Sequence, residues 1–230
     1  VREGGHGKWI WVILNGTVEV RKETPSGPMC VIRLGEGCFI GTLSALSFMD
    51  RKRNASVFAV GDVHLGLLDT ERLSREYTSL SPQFRGLLLS LEERLRKLSE
   101  RVVELSSGKD SMKGAPKDMK VAIKKGSLKK VLFSIHEGEA YVLGQNQKGP
   151  LPLMTLQKGD VFGYVPFMDI GHEPRTAWVL ASEDLNAIEI DTEGLQKEYD
   201  RLSGTLRNMI YYVGTAIFAT TKLLYRVREQ

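Results

Sequence analysis

Apolar positions along the chain change period twice, and each change predicts a change of element. From Trp9 to Val20 and from Met29 to Leu34 the residues are rich in β-branched and aromatic types. The stretch Thr24-Pro25-Ser26-Gly27-Pro28 between them is a turn signal, so the pattern predicts short strands joined by tight turns. Short strands between glycine-containing turns predict a barrel or jelly roll. After Leu73 the spacing becomes helical. Leu87, Leu91, Leu95, Leu98 and Val102 recur three or four residues apart, which predicts a helix from Pro82 to Leu105 with the proline at its start. A second long helix is expected from about Lys197 to Arg228. No charge falls between Arg207 and Lys222, and Met209, Ile210, Tyr211, Tyr212, Val213, Ile217 and Phe218 cover more than one of its faces. Such a helix is buried on more than one side. It is either an interface with a partner or another domain, or a helix packed on its own barrel, and it is too short between charges to span a bilayer.

Shifting the chain against itself by 122 positions aligns its two halves without a gap. Ile13, Gly16, Val20, Gly27 and Pro28 fall on Ile135, Gly138, Val142, Gly149 and Pro150. Leu34, Gly37, Gly41, Arg53, Ala55, Val57 and Ala59 fall on Leu156, Gly159, Gly163, Arg175, Ala177, Val179 and Ala181. Asp62, the run Asp69-Thr70-Glu71 and Leu73 meet Asp184, Asp191-Thr192-Glu193 and Leu195, so 17 of the 61 positions from 13 to 73 are identical. Ordinary residue frequencies would give roughly one match in fifteen. The matched types fix turns and core faces, which predicts two copies of one fold, a mainly β protein of two tandem barrels each followed by a C-terminal helix. The expected domains are residues 1–108 and 109–230. Between them, Ser106 to Lys130 holds Gly108, Gly114, Pro116 and eight lysines, and its first part reads as a solvated linker.

Composition narrows the classes. The chain is 42% hydrophobic and 26% charged, which argues for a folded globule. Lys and Arg exceed Asp and Glu by 32 to 28, a balance of +4 that is too small and dispersed to imply nucleic acid. Cys30 and Cys38 lack the companions of a zinc site and read as plain buried thiols, and His6, His64, His136 and His172 lack ligand spacing. Val1-Arg2-Glu3-Gly4-Gly5 opens no secretory signal, so a cytoplasmic location is expected, and the start at Val1 leads us to expect further residues upstream.

The candidate chemistry lies where each half passes from a glycine into a short apolar turn. Gly41 to Leu46 and Gly163 to Met168 would present unpaired backbone N–H groups, a seat for phosphate. Twelve residues later, Arg53 or Arg175 would supply a bidentate cation. Each arginine has a plainer reading as a surface or salt-bridged side chain.

The segment Leu34-Gly35-Glu36-Gly37-Cys38-Phe39-Ile40-Gly41-Thr42-Leu43, followed by Arg53-Asn54-Ala55-Ser56-Val57, resembles the signature of the cyclic-nucleotide-binding domain family. That family includes the catabolite activator protein and the regulatory subunit of cyclic-AMP-dependent protein kinase. The second half is similar, with Leu156-Gln157-Lys158-Gly159-Asp160-Val161-Phe162-Gly163-Tyr164-Val165 and Pro174-Arg175-Thr176-Ala177-Trp178-Val179. Arg2-Glu3-Gly4-Gly5 and the strand after it resemble the family's early glycine turn. The resemblance implies a ligand site at Gly41, Thr42, Leu43, Arg53, Asn54 and Ala55, and another at Gly163, Tyr164, Val165, Arg175, Thr176 and Ala177. The second is the better candidate, because it keeps Asp160 and Pro174. The family's glutamate after the glycine, which accepts a bond from the ribose hydroxyl, is here Thr42 or Tyr164. Losing such a charged acceptor costs about 1.5–3 kcal/mol. Tyr211 or Tyr212 would either cap the base from the last helix or simply pack in the core.

The function expected is therefore regulatory binding of cyclic AMP, cyclic GMP or a related phosphate, transmitted through the helices, by a protein that is not an enzyme and carries no cofactor or metal. The alternative is a degenerate scaffold in which the barrels only mediate assembly, with the last helix as the seam of a homodimer or of a complex with a partner protein. A transcription factor would need a helix-turn-helix after the long helix, and none follows before Gln230. Neither nucleic acid nor membrane is expected as a partner.

Overall fold

The computed structural model describes residues 1–47, 52–112, 119–169 and 177–229. The first half contains β1 (Trp11–Lys22), β2 (Met29–Leu34), β3 (Phe39–Ile40), a 3-10 turn at Leu43–Ser47, and β4 (Ser56–Leu67). It ends in α1 (Thr70–Ser79) and α2 (Pro82–Ser106). The second half contains β5 (Lys120–Ile123), β6 (Leu132–Glu137), β7 (Ala140–Asn146), β8 (Gly149–Leu156), β9 (Val161–Gly163), β10 (Trp178–Ala181) and β11 (Asn186–Glu189). Helices α3 (Thr192–Asp200) and α4 (Gly204–Glu229) complete it.

Strand registers recur at the 122-residue offset. In the first half Trp11 pairs Leu67 and Ile40, Val18 pairs Ala59 and Leu34, and Val20 pairs Val57 and Ile32. In the second, Phe133 pairs Glu189 and Phe162, Ala140 pairs Ala181 and Leu156, and Val142 pairs Val179 and Met154. The long β1 and β4 correspond to strand pairs in the second half, because the chain breaks between β6 and β7 at Gly138. Gly16 and Gly138 both have positive φ, 96° and 73°, and a Cβ on either would strike the backbone at Asp62 or at Asp184 and Leu185. One close crossing of two strands thus explains why both positions are glycine.

The expected closed barrels are not what forms. The strands make a four-stranded sheet centred on β1, a second four-stranded sheet in the order β5-β10-β7-β8, and a three-stranded sheet in the order β11-β6-β9, none of them closed among the described residues. Long helices cover the sheets instead, with α2 against β8 and β9 and α4 against β2. Nor is the core divided as two independent domains would divide it. One continuous cluster runs from Ile10, Phe39 and Leu73 through Phe84, Leu91 and Leu98 to Leu132, Phe162, Met209 and Leu224. Among the described residues, Ile13, Val18, Leu34 and Ile40 form a separate small core. No helix among the described residues is long and apolar enough to cross a membrane.

The predicted helix from Pro82 is α2, whose N-cap Ser81 accepts from the Phe84 N–H. The single final helix expected from Lys197 is instead two. Asp191 caps α3, which stops at Asp200, and Ser203 starts α4 by accepting from Leu206 N–H. Each long helix is also capped by a carboxylate from the other half. Glu198 of α3 accepts from the Ser81 N–H at 2.8 Å, while Glu76 of α1 accepts from Ser203 N–H and, at 2.8 Å, from its hydroxyl. These residues are themselves 122 apart, as are Tyr77 and Tyr199.

Replacing Gly138 with Ala is expected to destabilise the fold by about 2 kcal/mol or more, since both φ and space are wrong for a Cβ. Gly126 also has positive φ, 78°, but nothing within 4 Å of a Cβ. Its alanine variant should lose only about 1 kcal/mol in urea denaturation, and equal losses at the two sites would refute the close-crossing account.

Candidate ligand cavity

A cavity of about 130 Å³ lies under the first-half sheet, between it and the two long helices. It gathers Gly41, Thr42, Arg53, Asn54 and Ala55, five of the six first-half residues expected from the sequence. The sixth, Leu43, is buried in the core at the start of the 3-10 turn. Val20, Val31, Leu34 and Phe39 supply the apolar wall. Gly41 is needed here for its backbone. Its φ is 138° and a Cβ would lie 3.0 Å from Ile10 Cγ1.

Arg53 supplies the cation. Its backbone is clamped to the N-terminal glycine turn, with Gly4 N–H donating to the Arg53 carbonyl at 2.7 Å and Arg53 N–H to Gly5 at 2.8 Å. Its Nη2 donates to the carbonyls of Gly7 and Trp9 at 2.9 and 2.8 Å. Gly7 permits that approach, because a Cβ there would sit 3.2 Å from Nη2. Among the described residues no carboxylate pairs with Arg53. Burial draws its pKa below the usual arginine value, yet it stays cationic at neutral pH. Lys22 stands beside it, donating to the Asn54 carbonyl at 2.5 Å and paired with Glu3 at 3.3 Å.

Much of the cavity wall was not anticipated: Glu92, Leu95 and Ser99 come from α2, and Val213, Ala216 and Thr220 come from α4, at the far end of the sequence, beside the expected candidate Tyr212. The Glu92 carboxylate accepts from the Ser44 N–H at 3.0 Å, in the turn that follows Gly41. Tyr212 lies edge-on to Phe39, with ring centroids 6.0 Å apart, and burial raises its phenol pKa. Of the two tyrosines singled out from sequence it is the one that reaches the cavity, whereas Tyr211 is 58% exposed.

In the second half, Gly163 has φ 118° and no room for a Cβ against the Val131 carbonyl. Tyr164 N–H donates to that same carbonyl at 2.8 Å, so this backbone donor is already used. Val165 and Ala177 are buried in the core. Arg175 and Thr176, with Pro174 and His172, lie outside the described residues. Asp160, whose presence favoured this half, faces α2: its carboxylate accepts from Lys97 Nζ at 2.9 Å and from the Ser90 hydroxyl at 3.3 Å.

Residues 1–79 match the family model of the cyclic nucleotide-binding domain, a span that contains the glycine turn, Gly41 and Arg53. No curated protein matches the chain. Among solved structures, it is similar to the regulatory domain of Toxoplasma gondii PKA with cAMP, at 21% identity over 90% of this chain and 78% of that one, with a TM-score of 0.30. It is similar to cAMP-bound PfPKA-R at 22% identity over 86% and 68% of the two chains, TM-score 0.31. A third is the regulatory subunit of a cAMP-independent protein kinase A from Trypanosoma cruzi bound to guanosine, at 16% over 84% and 67%, TM-score 0.31.

The contact between α2 and the second half yields a measurable coupling. Lys97→Met and Asp160→Asn, alone and together, should give a double-mutant interaction energy of about 1–3 kcal/mol in urea denaturation, because the pair is largely buried. Additive losses would mean that the ion pair holds nothing together.

Proposed function

We propose that the chain is a regulatory binding protein built from two copies of a cyclic-nucleotide-binding-like unit, and that its ligand is a cyclic nucleotide or a close relative. The single observation that carries this reading is Arg53, a half-buried guanidinium with no carboxylate partner among the described residues, placed at the rim of an apolar cavity beside Gly41. A half-buried cation without a carboxylate beside it is a natural partner for an anionic ligand. The match of residues 1–79 supports the ligand class, and the recurring strand registers support the duplication.

Switching follows from size. Sites for ligands of this kind commonly run to about 300–1,000 Å³, whereas the cavity is about 130 Å³. A nucleotide would therefore enter by widening the gap between β2 and α4, and Tyr212 would be displaced or would stack on the base. A ligand that favours the widened arrangement shifts the position of α4, which is the output the reading requires. This remains a binding role, with cytoplasmic location and absence of catalysis as parts of the proposal. The scaffold alternative gains nothing from α4, since Ile210 and Ile217, candidate seam residues, are buried within this chain at 1% and 2% exposure.

Calorimetric titration with cyclic AMP and cyclic GMP tests the proposal. Binding is expected, weakened roughly ten- to a hundredfold by Arg53→Ala. Thr42→Glu should tighten it by restoring a carboxylate beside the glycine. Absence of heat at millimolar ligand for both the wild type and the Thr42→Glu variant would overturn it.

A further inference from the structure

The two long helices do equivalent work on opposite halves with unequal side chains. Helix α4 lines the first-half cavity with Tyr212, Val213, Ala216 and Thr220. The positions 122 earlier in α2, which faces β8 and β9 of the second half, are Ser90, Leu91, Arg94 and Leu98. Small residues on one helix thus answer to an arginine and a leucine on the other.

Those larger groups are bonded into the second half. Arg94 is 3% exposed and its Nη2 donates to the Val161 carbonyl at 2.8 Å. The Ser90 hydroxyl accepts from Val161 N–H at 2.9 Å, and Leu91 and Leu98 are fully buried. Lys97 adds a bond to the Thr155 carbonyl at 3.0 Å besides its pair with Asp160. Val161 at the start of β9 and Thr155 in β8 are therefore held by α2 side chains. The cassette turn beyond is clamped too: Phe167 is stacked between Phe84 of α2 and Tyr199 of α3, at 5.3 and 4.4 Å.

We infer that the chain takes one ligand, in the first-half cavity, and that Arg94 and Leu98 are the specificity-determining residues that keep the second-half counterpart shut. The ligand class is that of the proposed function, on which this inference rests. Protein interiors are close-packed, so among the described residues an arginine and a leucine in place of an alanine and a threonine fill space that α4 leaves open in the first half. The second half then serves as a fixed frame, and the asymmetry is written in four helix positions rather than in the glycine and arginine signature that both halves share.

Titration calorimetry on the whole chain reads the count. One site per chain is expected, and Arg53→Ala should weaken it roughly ten- to a hundredfold without revealing a second. The paired change Ala216→Arg with Thr220→Leu, which gives α4 the side chains of α2, should abolish binding while circular dichroism stays that of the wild type. A stoichiometry near two, or binding whose affinity is unchanged by Arg53→Ala, overturns the inference. Should no nucleotide bind at all, the proposed function fails, and melting then decides the inference separately. Ala216→Leu, which grows into an existing hollow, should keep or raise the melting temperature, while Arg94→Ala should lower it by roughly 5–10 °C. Equal losses for the two would overturn the inference.

Discussion

Each long helix begins on a serine whose backbone N–H is held by a glutamate from the opposite half, and the rest of the arrangement depends on that exchange. The first turn of any helix leaves backbone N–H groups without partners, and a carboxylate there is favoured both by hydrogen bonding and by the helix dipole. Ser81 with Glu198 and Ser203 with Glu76 meet this need crosswise. Each serine hydroxyl caps its own helix, but the serine N–H is satisfied from the other half. The crossed caps set α2 and α4 side by side, and that placement lets each helix cover sheets belonging to the other half. A continuous core is the consequence, and it explains why the strands have no need to close on themselves.

Much of this was legible in the chain. The 122-residue offset located the glycines, and Gly16, Gly138, Gly41 and Gly163 all turn out to be positions where a side chain would collide with neighbouring residues. A glycine match carries a conformational demand that is local, so sequence displays it directly. The capping aspartates Asp69 and Asp191 were visible for the same reason, since a cap acts over three residues. The crossed caps were visible in principle. Glu76, Tyr77 and Ser81 also recur at the offset, but beyond Leu73, where the helical period had taken over from the signature.

What stayed hidden was long-range. Nothing about Ala216 or Thr220 marks them as cavity residues until α4 is laid across β2, 180 residues earlier in the chain. Periodicity predicted that this helix is apolar on several faces and could not say whose surfaces they meet. Asp160 is the clearest case of a motif residue with a different task. It lies in the signature that made the second half attractive, yet its carboxylate ties α2 down through Lys97 and Ser90. Its first-half counterpart is Cys38, which offers no such ion pair, and across from Cys38 the helix position equivalent to Ser90 is Tyr212.

That difference leaves the two long helices unequally held. Where α2 meets the second half, an ion pair, three bonds to the backbone and a stacked aromatic trio oppose any motion. Where α4 meets the first half, the contacts at the cavity are apolar, and an edge-on ring pair and small side chains slide at little cost. Polar tethering of α2 to the second half thus contrasts with apolar contact of α4 at the cavity. Glu76 ties the start of α4 to α1, and past the cavity the helix is held again, by buried Leu224, by Tyr225 against Gly144 of β7 and by Arg228 paired with Asp110 at 3.9 Å, so its apolar stretch beside the cavity is the part tied by the fewest polar contacts.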